Sequence, residues 1–233
     1  MVDVFLIQDP PADAKLHRWR NFALVLPRAR NPLVAILIRR GIKFRLEGWG
    51  SARVMWLTLF FRGLKLAVVS AYIRHTNGEG VDELSRAVAR ASEVTQFVLL
   101  GADSNGHSPS WGPRNNLDAV GRMVEDVLSE GHLLVVNSAD SPPTFYSDRG
   151  NYSWIDITAA SPALVSHVAE WGVYPGIEVG SDHRLIMTII DQQVERAGMR
   201  ETRNWRQTDW QEFNRELFRS LDPSQCQGNY WTH

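Results

Sequence analysis

Residues 97–112 read Phe97-Val98-Leu99-Leu100-Gly101-Ala102-Asp103-Ser104-Asn105-Gly106-His107-Ser108-Pro109-Ser110-Trp111-Gly112. A short apolar run stops at a carboxylate and breaks into turn-forming residues. The run predicts a buried strand over Phe97–Ala102, and Asp103-Ser104-Asn105 predicts the turn that ends it. On either side lie helical patterns. In Asp82–Gln96, Leu84, Ala87, Val88 and Ala91 share one face. In Asp118–Glu130, Val120, Met123, Val124, Val127 and Leu128 follow the i, i+3, i+4, i+7, i+8 spacing, and Gly131 supplies a stop. The second helix leads into another apolar strand, Leu133–Asn137.

Further out, strands dominate. Val2–Ile7, Phe22–Leu26, Leu33–Ile38, Val54–Phe61 and Leu64–Tyr72 are rich in β-branched or aromatic residues and bounded by Gly, Pro or charge. Arg62-Gly63 reads as a hairpin turn between the last two. Trp154–Ala159, His167–Tyr174 and Leu185–Ile190 complete the set. Many strands with a few interleaved helices predict an α/β fold: a four-layer α/β sandwich of two packed mixed β-sheets flanked by helices. Residues 1–190 form this domain. Residues 191–203 are charged, contain Gly198 and read as a linker. Residues 204–222 read as a short amphipathic helix, with Thr208 and Gln211 at capping-box spacing and a stripe of Trp210, Phe213, Leu217 and Leu221. Residues 223–233 read as an unstructured tail.

Bulk properties narrow the class. The 233 residues carry 25 Lys and Arg against 26 Asp and Glu, a formal net charge of −1. A strongly basic footprint is absent, which argues against tight, sequence-blind DNA binding. The single cysteine, Cys226, excludes an internal disulfide framework and a cysteine zinc site, and fits an intracellular, reducing compartment. The first residues lack the basic flank and length of a signal peptide. No apolar run approaches the roughly 20 residues needed to span a bilayer, so no membrane partner is expected.

Polar residues collect where apolar strands end. Val2–Ile7 runs into Gln8-Asp9-Pro10, Leu66–Ser70 into Tyr72, and Phe97–Leu100 into Asp103-Ser104-Asn105. Asp156 interrupts an apolar strand, and Ser181-Asp182-His183 precedes Leu185–Ile190. Singly, each has a plain structural explanation: turn chemistry, a satisfied carboxylate, a core tyrosine, a strand exit. Together they make an oxygen-rich set of four aspartates, an asparagine, a tyrosine and a histidine at strand ends, where α/β scaffolds aim side chains. Hard oxygen ligands suit Mg²⁺, with Mn²⁺ the alternative. An Asp–His pair orients and charges an imidazole, and a buried aspartate near a metal accepts a proton from water. No Gly-x-Ser-x-Gly elbow, Walker loop or Gly-x-Gly-x-x-Gly fingerprint is present, which removes serine hydrolases, nucleotide hydrolases and dehydrogenases.

The sequence resembles the endonuclease/exonuclease/phosphatase superfamily, which includes apurinic/apyrimidinic endonucleases. The likeness is greatest to the endonuclease domain of non-LTR retrotransposons. It runs in order through Ile7-Gln8-Asp9-Pro10, Val69-Ser70-Ala71-Tyr72, residues 101–112, Pro143-Thr144-Phe145, Ser153-Trp154-Ile155-Asp156-Ile157-Thr158 and Ser181-Asp182-His183-Arg184. The Asp-x-Asn…Ser…Trp-Gly stretch is the most specific element. Asn204-Trp205-Arg206-Gln207-Thr208-Asp209-Trp210 resembles the segment that joins this domain to a reverse transcriptase.

The resemblance implies roles at the matching positions. Asp9 takes the place of a metal-binding glutamate, and Asp182 helps hold the metal. Asp156 hydrogen-bonds His183, which contacts or protonates around the scissile phosphate. Asp103 activates water or stabilises the group that attacks, Asn105 positions phosphate or water, and Tyr72 reaches a phosphate oxygen. The implied activity is Mg²⁺-dependent nicking of DNA to a 5′-phosphate and a 3′-hydroxyl that primes reverse transcription. The implied partners are DNA and a following reverse transcriptase domain, and the implied location is the nucleus. Two departures stand out. The family's usual first strand and helix, of roughly 30 residues, are expected to be missing ahead of Gln8, and Asp9 is one methylene shorter than glutamate. They leave two alternatives: a catalytically impaired remnant, or another phosphodiesterase or phosphatase of the superfamily. Nine tryptophans are expected mostly in the core, with target recognition by Arg114–Asn116 and Ser147–Tyr152.

Overall fold

The computed structural model describes residues 2–10, 20–47, 50–61, 63–147 and 149–191. The expected linker beyond Asp191, the expected helix over 204–222, the tail and Arg62 of the expected turn lie outside the described residues. The elements are β1 (Val4–Gln8), β2 (Phe22–Val25), β3 (Val34–Arg39), β4 (Lys43–Leu46), β5 (Val54–Phe61), β6 (Leu64–Tyr72), α1 (Val81–Val94), β7 (Phe97–Asp103), α2 (Ala119–Glu130), β8 (Leu134–Val135), β9 (Phe145–Tyr146), β10 (Tyr152–Ser153), β11 (Asp156–Ala160), α3 (Pro162–Val165), β12 (Val168–Tyr174) and β13 (Leu185–Ile190).

The α/β sandwich expected from the pattern is present. A six-stranded sheet runs β4-β5-β6-β7-β11-β8. It is mixed, because α1 carries the chain across from β6 to a parallel β7 while the other pairs are antiparallel. Its two faces are buried in different company. Ala67, Val69 and Ala71 of β6 and Val98, Leu100 and Ala102 of β7 pack against Leu84, Val88 and Ala91 of α1 and Val120, Val124 and Val127 of α2. Leu66 and Val68, which point the other way, pack with Val34, Ile36 and Ile38 of β3 in the second layer. That layer holds the three-stranded β1-β3-β2 and the hairpin β12-β13. Both pieces are antiparallel, so only the larger sheet is mixed. Among the described residues the long helices cover one side, and the layers run helix, sheet, sheet.

Three deviations from the sequence pattern have local causes. Lys43-Phe44-Arg45-Leu46 forms edge strand β4 although charges interrupt it, because three of its four residues are exposed and charge is tolerated at an edge. The expected strand Leu133–Asn137 shortens to Leu134–Val135. Beyond it the side chain of Asn137 replaces the ladder: its Nδ2 donates to the Asp156 carbonyl at 2.9 Å and its Oδ1 accepts from the Thr158 N–H at 2.8 Å. The short β9-β10 ribbon has too few residues to show a period.

Asp118 caps α2. Its carboxylate accepts from the Gly121 N–H at 2.6 Å and pairs with His107 Nδ1 at 2.9 Å. Burial works to raise its pKa, but the hydrogen bonds from Gly121 and His107 outweigh it and hold the carboxyl below the ordinary value. Such a group adds stability above the unfolded pKa, and the contribution is lost as pH falls through the folded one. Asp118→Ala is expected to cost about 1 kcal/mol at pH 7, with the difference shrinking in acid. Urea denaturation at both pH values checks this.

Candidate active site

Strand register builds the site. Tyr72 of β6 lies opposite Asp103 of β7, and Asp103 lies opposite Asp156 of β11. Residues in one row across adjacent strands project to one face. That face is the inter-sheet one, because Leu66 and Val68 of β6 and Ala160 of β11, at even spacing from the row, belong to the inter-sheet core. The row stands at strand ends: Tyr72 and Asp103 are the last residues of β6 and β7, and Asp156 is the first of β11. One step inward, Gln8 of β1 crosses from the second layer and donates from Nε2 to Ser70 Oγ at 3.1 Å and to the Gly101 carbonyl at 3.3 Å. Gly101 lets β1 come this close: a Cβ there would sit 2.6 Å from Leu6 Cδ1.

His183 closes the row from the second layer. Its Nδ1 is 3.0 and 3.1 Å from the two Asp156 carboxylate oxygens, and its Nε2 is 3.8 Å from Asp103 Oδ2. Burial acts to lower the imidazole pKa, but the bond to Asp156 and the charges of Asp156, Asp103 and Asp182 raise it to about 9. The ring is therefore a cation at neutral pH, with Asp156 holding one nitrogen and the other turned toward Asp103. Asp103 is only 4% exposed. Burial and the neighbouring Asp156 charge push its carboxyl up to about 7, against the opposing pull of His183. Burial, Asp9 and Asp103 likewise raise Tyr72, which keeps its hydroxyl a proton donor.

Asn105 follows in a left-handed conformation, φ 48, with Nδ2 donating to the Ile73 carbonyl at 3.0 Å and its N–H to Asp103 Oδ1 at 3.1 Å. Asp9 is also left-handed, φ 44. Two strained non-glycine residues at one site are held by the surrounding bonds; the Asp9 N–H, for example, donates to the Leu33 carbonyl.

The structure thus brings together Tyr72, Asp103, Asn105, Asp156 and His183. One ligand atom each from Asp103, Asp156 and His183 lies within 4.8 Å of the others. Two buried carboxylates whose charges oppose each other fit a divalent cation by their donor chemistry, whereas a protonated His183 has no lone pair to offer one. Asp9 and Asp182 stand outside this tight group. Both are exposed. Each is near enough that its charge raises a site pKa, Asp9 those of Asp103 and Tyr72, and Asp182 that of His183.

Supporting residues receive no role from the sequence reading, although Thr144 and Ser104 lie in the motifs it quotes. Thr144, fully buried, accepts through Oγ1 from the N–H groups of Ile155 and Asp156 at 3.2 Å each, and fixes the start of β11. Ser104 Oγ donates to the Ile155 carbonyl at 2.6 Å. His75 Nδ1 donates to the Asn105 carbonyl at 2.8 Å. Hydroxyls and imidazoles in turns look like ordinary loop residues, and only the pairing of distant strands makes them supports. Trp111 is a plug: 2% exposed, with Nε1 donating to the Gly106 carbonyl at 3.2 Å.

The Asn105–Ser108 loop rests on α2 through a close glycine contact. A Cβ on Gly121 would overlap the His107 carbonyl. Gly121→Ala is expected to cost about 1–3 kcal/mol, as overpacking does, and to displace the loop. A lowered urea midpoint with altered backbone amide shifts at Asn105 is the expected result.

Comparison with known proteins agrees with this architecture. A family model described as endonuclease-reverse transcriptase matches residues 66–187, from within β6 to the middle of β13. No curated protein matches the sequence. The solved endonuclease domain of TRAS1, a telomere-specific non-LTR retrotransposon, superposes with a TM-score of 0.70 at 21% identity, covering 82% of this chain and 87% of that one. An AP endonuclease from Leishmania major superposes at 0.63 and 15% identity over 81% of this chain and 78% of its own. A 3′ phosphatase from Neisseria, bound to a product DNA hairpin, gives 0.56 and 17% over 81% and 89%. At these identities the likeness is one of fold, and the family match covers more than half of the sequence. The chain belongs to the endonuclease-reverse transcriptase family, within the endonuclease/exonuclease/phosphatase superfamily.

Proposed function

We propose that this chain is a Mg²⁺-dependent DNA endonuclease domain that nicks target DNA, leaving a 3′-hydroxyl to prime reverse transcription for a non-LTR retrotransposon. The observation that carries the reading is the row Tyr72–Asp103–Asp156 capped by a charged His183. Asp156 fixes the imidazole, so that His183 Nε2–H donates to an oxygen of the scissile phosphate. Asp103 accepts the proton of an attacking water. Asn105 and the Tyr72 hydroxyl bind phosphate oxygens. Asp9 and Asp182 would hold the metal. The bound metal supplies positive charge that stabilises the phosphate and the leaving oxygen. The family name and the DNA-bound fold relatives support DNA as substrate and a linked reverse transcriptase as the next domain. Residues 1–190 then form the nuclease, 191–203 the linker and 204–222 the joining helix. Location in the nucleus follows from this role. No described helix is long and apolar enough to cross a membrane.

The position of Asp9 outside the tight group favours one rival, a catalytically impaired remnant. Supercoiled plasmid separates the two. With Mg²⁺ the protein is expected to convert it to nicked circles, with EDTA it is not, and Asp182→Ala is expected to slow the reaction at least roughly tenfold. No nicking by the wild type favours the remnant. Equal nicking by the variant removes Asp182 from the metal site.

A further inference from the structure

Asn105 is held by a histidine that the mechanism above does not use. The residue sits in the left-handed region at φ 48, a conformation that asparagine adopts at a cost. Its side-chain amide carries two N–H groups. One donates to the Ile73 carbonyl at 3.0 Å, which leaves the other for a phosphate oxygen. The Asn105 carbonyl accepts from His75 Nδ1 at 2.8 Å. A carbonyl oxygen only accepts, so Nδ1 carries a proton whether the ring is neutral or charged. The bond therefore survives either state of the imidazole.

His75 is exposed, yet its ring is steadied from two sides. It meets the His107 ring edge to face, with centroids 6.3 Å apart and planes at 82°, within the range of aromatic pairs. His107 is itself fixed by Asp118, the cap of α2, at 2.9 Å. On the chain side, His75 belongs to a tight loop after β6. There the Arg74 N–H donates to the Glu79 carbonyl and the Gly78 N–H to the Arg74 carbonyl, both at 3.0 Å. The Glu79 carboxylate takes Arg53 at 2.9 Å and Arg74 at 3.3 Å. The loop starts at the catalytic row, since the Ile73 N–H donates to the Asp103 carbonyl at 2.8 Å. One loop thus grips Asn105 twice, at its side chain through Ile73 and at its carbonyl through His75. The cost of a left-handed asparagine and the worth of one neutral hydrogen bond are of the same order. Loss of the His75 bond therefore lets the Asn105 backbone relax and its amide turn. Ser104 Oγ still accepts from the Gly106 N–H at 3.2 Å, so the result is a misplaced amide and not a collapsed turn.

We propose that His75 is a positioning residue for the reaction: its imidazole holds the Asn105 carbonyl and so keeps the free amide N–H of Asn105 aimed at the phosphate. This role rests on the nicking function proposed above, and two readouts keep them apart. The first needs no catalysis. In EDTA, His75→Ala is expected to move the NMR resonances of the Asn105 side-chain amide and the Gly106 backbone amide, while those of Val88 and Val98 in the core stay in place. The second is the initial rate of plasmid nicking with Mg²⁺. His75→Ala is expected to lower kcat roughly tenfold, less than a 1 Å misplacement can cost. KM is expected to change little, because the amide contact acts in the transition state. His75→Asn, whose Nδ2 stands where the imidazole Nδ1 does, is expected to recover both the resonances and the rate. Thr76→Ala, at an exposed neighbour on the same loop, is expected to leave both unchanged. Wild-type rates in His75→Ala, or no recovery in His75→Asn, overturn the positioning role while nicking by the wild type stands. No nicking by the wild type overturns the nuclease reading and this role with it, whatever the spectra show.

Discussion

His183→Ala is expected to slow plasmid nicking by roughly 10²- to 10⁴-fold, the range in which a positioned acid or base contributes. The size follows from how completely the site commits to this ring. Asp156 grips Nδ1 with both carboxylate oxygens within 3.1 Å, which fixes orientation and leaves Nε2 for the substrate. The ring is cationic at the pH of the assay, since its pKa is raised to about 9. Alanine removes the proton donor and the positive charge together. It also leaves Asp156, 8% exposed, with no cation beside it, which lowers stability in its own right. The decisive comparison is therefore Asp156→Asn with His183→Ala in one protein. Residues acting as a unit are non-additive, so the double variant is expected to be no slower than His183→Ala alone. Additive losses would mean that Asp156 acts on the substrate independently of the imidazole.

Much of this site was legible as a list and little of it as a geometry. Phe97–Asp103 and the flanking helical faces predicted a strand between two helices, because buried parallel strands and amphipathic helices write their period into the chain. Strand ends could be read as well: Tyr72, Asp103 and His183 each sit where an apolar run starts or stops, whereas Asp156 reads as interrupting the expected strand Trp154–Ala159 and in the structure begins β11. Their meeting depends on the register of β6, β7 and β11, which is set by packing across two layers and leaves no local mark. Thr144 and Asn137 show the same limit from the other side. Each makes two hydrogen bonds that hold β11, yet in sequence they are a loop threonine and the end of an apolar run. β4 was missed because an exposed edge strand does not need an apolar face. The metal positions illustrate the difference between resemblance and geometry. Asp9 and Asp182 came from matching motifs, whereas the group with converging ligand atoms is Asp103, Asp156 and His183.

Asp103→Asn is expected to push stability and activity in opposite directions. Asp103 and Asp156 are cross-strand neighbours in the inter-sheet cleft, both nearly buried. Burial and that repulsion raise the Asp103 carboxyl from 3.8 to about 7. The sign is unfavourable to folding: between those two values the folded state holds a proton that the unfolded state has released, so stability falls as pH rises through the window. Taken whole, the shift corresponds to about 4 kcal/mol at pH 8. Asparagine has nearly the same shape, and its side-chain oxygen still accepts from the Asn105 N–H as Asp103 Oδ1 does. It carries no charge, but its amide N–H₂ must be satisfied in the cleft, which offsets part of the gain. The net expectation in EDTA at pH 8 is a stabilisation of about 1–3 kcal/mol, roughly 3–10 °C in melting temperature, vanishing near pH 4. Nicking with Mg²⁺ is expected to fall at least roughly 10²-fold, because the amide cannot accept a proton from water. A melting temperature that drops at pH 8 would show that Asp103 is a structural acceptor with no electrostatic cost. Unchanged nicking would move the water-activating role to another group. The expected pair of results, a firmer fold and a slower enzyme, is the signature of a carboxylate kept for its chemistry against the preference of the fold.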